Sequence, residues 1–243
     1  MLTADISPQA MQIAIALRSM LDLLLPRYCC GCGRRLALDE KAICQVCMTN
    51  IPHFYVEDSF RAASVEDLAI HPAIGYMGAY ASYRRKNLTA NIVHSLKYYR
   101  NPEAGIVMGQ MAARARLREG IFDGVDMLVP IPITWRRRMQ RGYNQAELIA
   151  RGISKVTGVP VRTDIMRRRR HTESQTHFEF HERMERQTGI FEFARGGHEA
   201  VSGKCVMLID DVITTTATMR AATSVLLTGK DTVVRWFAWA WTT

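Results

Sequence analysis

No apolar run among the 243 residues approaches the ~20 needed to cross a bilayer, so no transmembrane segment is expected. An export signal is missing too. Met1 to Leu25 has Asp5 in place of a basic start, Arg18 and Asp22 interrupt its apolar residues, and no small-residue cleavage site follows. A cytoplasmic location is therefore expected. Met11, Ile15, Leu17, Leu21 and Leu25 instead predict a helix that packs on the protein or on a partner. A P-loop is also absent. The nearest approach, Gly197 to Gly203-Lys204, has one intervening residue too many, is followed by Cys205 and precedes a strand. That excludes the P-loop triphosphatases. There is no internal repeat and no low-complexity tract. Acidic residues are the minority charge: 23 Asp and Glu against 32 Lys and Arg leave a net +9. The excess favours anionic partners, either phosphorylated metabolites or nucleic acid.

Cysteine is sparse, six in all, and without an export signal a disulfide framework is not expected. Four of the six stand in two C-x-x-C knuckles, Cys29/Cys32 and Cys44/Cys47. Each knuckle puts two thiolates on one side of a tight turn, and two such turns make a closed tetrahedral Zn²⁺ site. Four protein ligands leave no open position, so the zinc is expected to be structural. A segment this small cannot fold on its own apolar burial, and metal binding would supply its folding energy. Cys30 stands one residue too close to Cys32 and is expected to be a bystander.

The most informative stretch is Val206 to Thr218. An apolar strand, Val206 to Ile209, leads to Asp210 and Asp211. Thr214, Thr215, Thr216, Ala217 and Thr218 follow, and then a helical segment from Met219 to Leu227. Ligands of open parallel sheets bind beyond the carboxyl ends of strands. Free N–H groups at a helix start, with threonine hydroxyls beside them, suit a phosphate. Two carboxylates suit sugar hydroxyls or a hydrated Mg²⁺. Together these groups describe a ribose 5-phosphate site; the bland alternative is a buried strand with a polar turn.

Asp210 to Thr218 resembles the phosphoribosyl pyrophosphate (PRPP) motif of type I phosphoribosyltransferases. More closely, the chain resembles the ComF/GntX family of competence-linked, phosphoribosyltransferase-like proteins. Four further stretches carry that resemblance in order: Cys29 to Cys47; Ser95-Leu96-Lys97-Tyr98; Val129-Pro130-Ile131-Pro132 with Arg141-Gly142-Tyr143-Asn144-Gln145-Ala146; and Gln175 with Glu182-Arg183. Together they cover nearly everything from Tyr28 onward. One departure is that Thr216 stands where the family usually has glycine. A β-branched residue there is expected to resist a positive φ and to crowd the phosphate, so Thr216→Gly should leave affinity unchanged or raise it.

The resemblance implies PRPP with Mg²⁺ as ligand, Asp210 and Asp211 on the ribose hydroxyls, and Thr214 to Thr218 around the 5-phosphate. Pro130, Ile131 and Pro132 would begin the pyrophosphate loop, which runs to Thr134. Lys97, Arg138 and Arg141 are candidates to neutralise pyrophosphate, although Lys97 equally suits a solvated helix surface. Because Met1-Leu2, and no cysteine, begins the chain, a complete glutamine amidotransferase is not expected. Two functions remain open. One is PRPP-dependent transfer to an unassigned acceptor. The other is a single-stranded-DNA-binding scaffold that works with a helicase-like partner, since the family is linked to DNA uptake.

Alternating strands and helices predict an α/β, mostly parallel sheet, the type I phosphoribosyltransferase fold, preceded by the small zinc module of four cysteines. Strands are expected at Gly75–Tyr83, Met127–Ile133, Val206–Ile209 and Val233–Trp241. Helices are expected at Leu88–Tyr98, Glu103–Arg118 and Asn144–Val156. Residues 1–60 would form the helix and zinc module, and 61–243 the transferase-like domain. The polar stretch Arg167 to Gln187 predicts a flap that closes over PRPP. His177 and His181 within it lack a third ligand of matching spacing, so no second metal site is expected.

Overall fold

A computed structural model of the chain describes residues 20–55, 74–98, 101–169 and 189–242. Its centre is a four-stranded sheet of β1 (Ile74–Tyr83), β2 (Met127–Pro130), β5 (Cys205–Ile213) and β6 (Val233–Thr242). The spatial order is β1-β6-β5-β2, and all three pairings are parallel. Two short strands, β3 (Met166–Arg168) and β4 (Phe191–Phe193), pair antiparallel beside it. The α/β class, with a parallel sheet behind a four-cysteine module, is as expected.

Central strand β6 is buried on both faces, as a continuous apolar run in a parallel sheet should be. Phe237 and Trp239 face one apolar cluster while Trp236 and Ala238 face the other. The second cluster takes in β3, β4, short helix α6 (Gly197–Val201) and helix α7 (Ala217–Leu226). Against the first pack α2 (Leu88–Tyr98), α3 (Pro102–Arg116) and α5 (Gln145–Thr157). Helices α3 and α5 cross at Gly109 and Gly152, where a methyl on either would collide with a backbone carbonyl, of Ile149 or Ile106. Asn101 caps α3 with Pro102 at its first position, and Asn144 caps α5.

Strand bounds differ from expectation at two places that matter. Strand β2 stops at Pro130, because Pro132 has no N–H to continue a ladder in which Ile131 still donates to the Ile209 carbonyl at 2.9 Å. Strand β5 runs on to Ile213, because β6 extends beside it, pairing Asp210 with Ala238 and Val212 with Ala240. The carboxylates therefore lie within the strand instead of just past its end. Beyond Ile209 the β2 side of β5 has lost its neighbour, and a cleft opens there.

Cys29, Cys44 and Cys47, with Leu36, Ile43 and Ile51, belong to the same apolar cluster as the sheet and its helices. Short helix α1 (Gln45–Thr49) is part of this module. Residues 52–54 then run along β1, with Ser82 N–H donating to Pro52 and Phe54 N–H to Tyr80. The expected boundary near residue 60 falls in 56–73, outside the described residues. Of the expected N-terminal helix, residues 20–24 are helical, but Leu21 and Leu25 are exposed and pack on nothing described. Met11, Ile15 and Leu17 lie outside the described residues, as does most of the expected flap, including His171, His177 and His181. No helix among the described residues is long and apolar enough to cross a membrane.

Candidate functional site

The cleft beside β5 has a volume of about 320 Å³. Asp210, Asp211, Thr214 and Thr218 line one side, Ile131, Pro132 and Ile133 another, and Lys97, Arg137, Arg141 and Arg168 supply positive charge. Lys97 Nζ lies 2.7 Å from Asp211 Oδ2. Asp210 Oδ1 accepts the Asp211 N–H at 2.8 Å. Burial first, and the Asp211 charge second, push the Asp210 carboxyl well above its ordinary range, with Lys97 opposing. Burial, then Arg137, lowers the Arg168 guanidinium, with Asp210 acting the other way.

Thr214 and Thr215 are exposed, and Thr216 to Thr218 are half-buried at the start of α7. Thr216 stands at the N-cap of that helix without a side-chain capping bond, while Thr214 and Thr218 line the cleft. Thr216 overturns the conformational expectation, having φ −71° and ψ −9°, ordinary right-handed helical values. It is already at the helix start, so a β-branched residue stands there without strain.

Two loops are held in place by polar contacts. Asn144 Nδ2 donates to the Ile131 carbonyl at 2.9 Å, tying the start of α5 to the loop after β2. Tyr143 Oη donates to the Leu96 carbonyl at 2.8 Å, tying the same region to the helix that carries Lys97. Arg141 Nη1 donates to Gln145 Oε1 at 2.9 Å. A guanidinium only donates, which fixes the amide orientation and leaves buried Gln145 Nε2, at the cleft wall, with no partner.

Of the sequence-predicted residues, Asp210, Asp211, Thr214, Thr218, Ile131, Pro132, Lys97 and Arg141 meet around this cleft. Arg138 does not. It points to the other side of helix α4 (Trp135–Arg141), 3.8 Å from Glu147, while Arg137 takes the place expected of it. Pro130 lines the neighbouring cleft. Sequence reasoning missed Tyr83, Tyr98, Arg137, Asn144, Gln145 and Arg168 as lining residues. Tyr83 was within reach, since it ends a strand parallel to β5 and so arrives at the same sheet edge. Arg168 had nothing to single it out from the arginines on either side.

The second site is the cysteine cluster. The Sγ atoms of Cys29, Cys32, Cys44 and Cys47 all lie within 4.8 Å of one another. Cys32 and Cys44 are 3.8 Å apart, close to the spacing of about 3.8 Å that tetrahedral Zn–S bonds of about 2.3 Å impose. Backbone N–H groups of Gly31 and Cys44 point at Cys29 Sγ, both at 3.3 Å, and that of Cys47 at Cys44 Sγ at 3.4 Å. Such donors favour thiolate charge, and the cluster is fit to hold a metal ion. Cys30 stands outside it, near Asn101. The module rests on α2. Asn91 Nδ2 donates to the Gly31 carbonyl at 3.1 Å, and a methyl on Gly31 would strike Leu88 and Cys47.

The chain is 31% identical over 101 residues to competence protein F of Haemophilus influenzae, covering 42% of this chain and 44% of that protein. It is 24% identical over 237 residues to DNA utilization protein YhgH of Salmonella typhimurium, covering 88% of this chain and 97% of that one. The chain is thus similar to proteins named for competence and for DNA utilization. No family model matches it. Among solved structures, glutamine PRPP amidotransferase from B. subtilis aligns with 60% of this chain and 30% of its own, at 17% identity and a TM-score of 0.41.

Proposed function

We propose that this protein belongs to the ComF family, binds PRPP in the Asp210–Asp211 cleft and transfers its ribose 5-phosphate to an acceptor, in the service of DNA use. One observation carries the reading: a carboxylate pair, an uncapped helix start and four basic side chains surround a single cleft. Asp210 and Asp211 would accept hydrogen bonds from the two ribose hydroxyls. The start of α7, with Thr214 and Thr218, would hold the 5-phosphate. As the bond from the anomeric carbon to pyrophosphate breaks, positive charge grows on the sugar and negative charge on the leaving group. Lys97, Arg137, Arg141 and Arg168 would stabilise the latter, and the Ile131–Thr134 loop would orient it. Mg²⁺ arriving with PRPP would add charge neutralisation at the pyrophosphate.

In the same reading, residues 1–60 are a support stapled by one structural Zn²⁺ on Cys29, Cys32, Cys44 and Cys47, and residues 61–243 are the transferase-like body. A second reading, a scaffold for single-stranded DNA with a helicase-like partner, is favoured by the names of the relatives. Binding of a strand that PRPP does not compete away would support it.

Thermal unfolding with added ligand tests the first reading. A ligand at 100 times its Kd stabilises by about 2.7 kcal/mol, so PRPP with Mg²⁺ should raise Tm by several degrees. Ribose 5-phosphate alone should do less. No shift at millimolar PRPP would remove the proposal.

A further inference from the structure

A second cleft, of about 920 Å³, lies on the far side of the Ile131–Thr134 loop and shares Pro132, Ile133, Asn144 and Arg168 with the first. Helix α4 forms one wall. None of its residues is buried, and it presents Trp135, 68% exposed, beside Arg136 and Arg138. A helix with no buried face gains nothing from the core, and a large aromatic left in water is unfavourable unless it is used. The other wall is β3 with the residue after it, bearing Arg167, Arg168 and Arg169 over an apolar floor that includes Met166.

Five lining residues are arginines and one, Glu147, is acidic. Glu147 is already shared between Arg138, at 3.8 Å, and Arg151, at 2.8 Å. Glu192 is likewise shared between Arg167, at 2.8 Å, and Arg169, at 3.1 Å. Each carboxylate thus meets two guanidinium groups, and the cleft keeps an excess of positive charge. Arg168 lies over the Phe191 ring at 5.5 Å, which holds it between the two clefts.

An exposed indole flanked by guanidinium groups on two walls offers a stacking face and phosphate donors within one cleft. We propose that this cleft binds a nucleotide unit, with its base on Trp135 and its phosphate on the arginines of α4 and β3. The unit is supplied either as a free nucleotide or as part of a single strand. The proposal does not depend on phosphoribosyl transfer next door.

The chain has four tryptophans, and Trp236, Trp239 and Trp241 are 0–1% exposed. Trp135 is therefore the indole that a water-borne quencher reaches. Full-length protein is titrated with GMP, with dTMP and with a ten-residue oligo-dT, following tryptophan emission and its acrylamide quenching. Saturable quenching, with protection from acrylamide, is expected from at least one probe. A mononucleotide that saturates the signal identifies the free nucleotide as the source; a response confined to the oligonucleotide identifies the strand. By anisotropy of the labelled probe, Trp135→Ala should weaken binding about five- to hundredfold, the range for loss of one base stack, and Trp135→Phe should recover most of it. Arg136→Gln or Arg169→Gln should lower the salt slope for the strand by about 0.7. Tight binding of any probe with Trp135 emission and accessibility unmoved, equal binding by Trp135→Ala, or no binding of any probe would each overturn the assignment.

Discussion

Lys97, in the last turn of α2, reaches Asp211 on β5 with 2.7 Å between Nζ and Oδ2. The contact answers whether Lys97 is a surface residue: its side chain is 25% exposed and that of Asp211 14%. It also joins the sheet to the helix on which the cysteine module rests. Replacing Lys97 by Met should leave the Asp211 charge half-buried without its cation. A loss of about 1–3 kcal/mol is expected at neutral pH, together with weaker PRPP binding. Chemical denaturation and ligand titration of the same variant check both; unchanged stability would mean that the pair is incidental.

Asp210 makes the opposite prediction for stability. Its carboxyl is raised above the ordinary range by burial and by Asp211. A group whose folded-state pKa lies above its unfolded value stabilises the fold at pH below the unfolded value, and that contribution is lost as pH rises through the folded one. At neutral pH, above the unfolded value, the buried carboxyl is therefore a cost to the fold. Asp210→Asn keeps the Oδ1 that accepts the Asp211 N–H. It should raise Tm at pH 7 by about 2–4 °C for each kcal/mol relieved, with a smaller gain near pH 4. PRPP affinity should fall ten- to hundredfold. A lower Tm at pH 7 would contradict this assignment of charge.

Much of this was legible in the chain itself. Two C-x-x-C knuckles are a spacing pattern with few alternative uses, and a parallel-sheet strand buried on both faces reads as an unbroken apolar run. The Asp210–Thr218 stretch was legible as a strand end, a carboxylate pair and a helix start. What could not be read was direction around a helix and the length of a neighbouring strand. Arg137 and Arg138 are adjacent in sequence, and only the docking of α4 decides which faces Asp210. Asp210 lies inside β5 because β6 extends beside it, a tertiary fact with no local signal. The φ of Thr216 likewise follows from where α7 begins, which a family glycine does not reveal.

Thr216→Gly follows from that last point. With φ at −71°, glycine relieves no strain and loses more entropy on folding. The variant should be about 0.5–1 kcal/mol less stable, with no gain in PRPP affinity. A clear rise in affinity would show that the threonine side chain crowds the phosphate despite its relaxed backbone.

Metal removal should reach beyond the cysteines. The module packs on α2 through Asn91 and Leu88, and α2 carries Lys97. Purified protein should hold about one zinc per chain. Chelation should loosen residues 28–50, retain most of the sheet's signal, and weaken PRPP binding several-fold. Elemental analysis without zinc, in protein prepared without chelators, would remove the metal assignment. Full PRPP affinity after chelation would remove only the link to Lys97.

Calorimetric titration of zinc-loaded, folded protein with PRPP and Mg²⁺, run beside Asp211→Asn, tests the central claim most directly. Saturable one-site binding to the wild type, weakened ten- to hundredfold in the variant, is the predicted result. Undetectable heat at millimolar PRPP, or equal binding by both proteins, would contradict it.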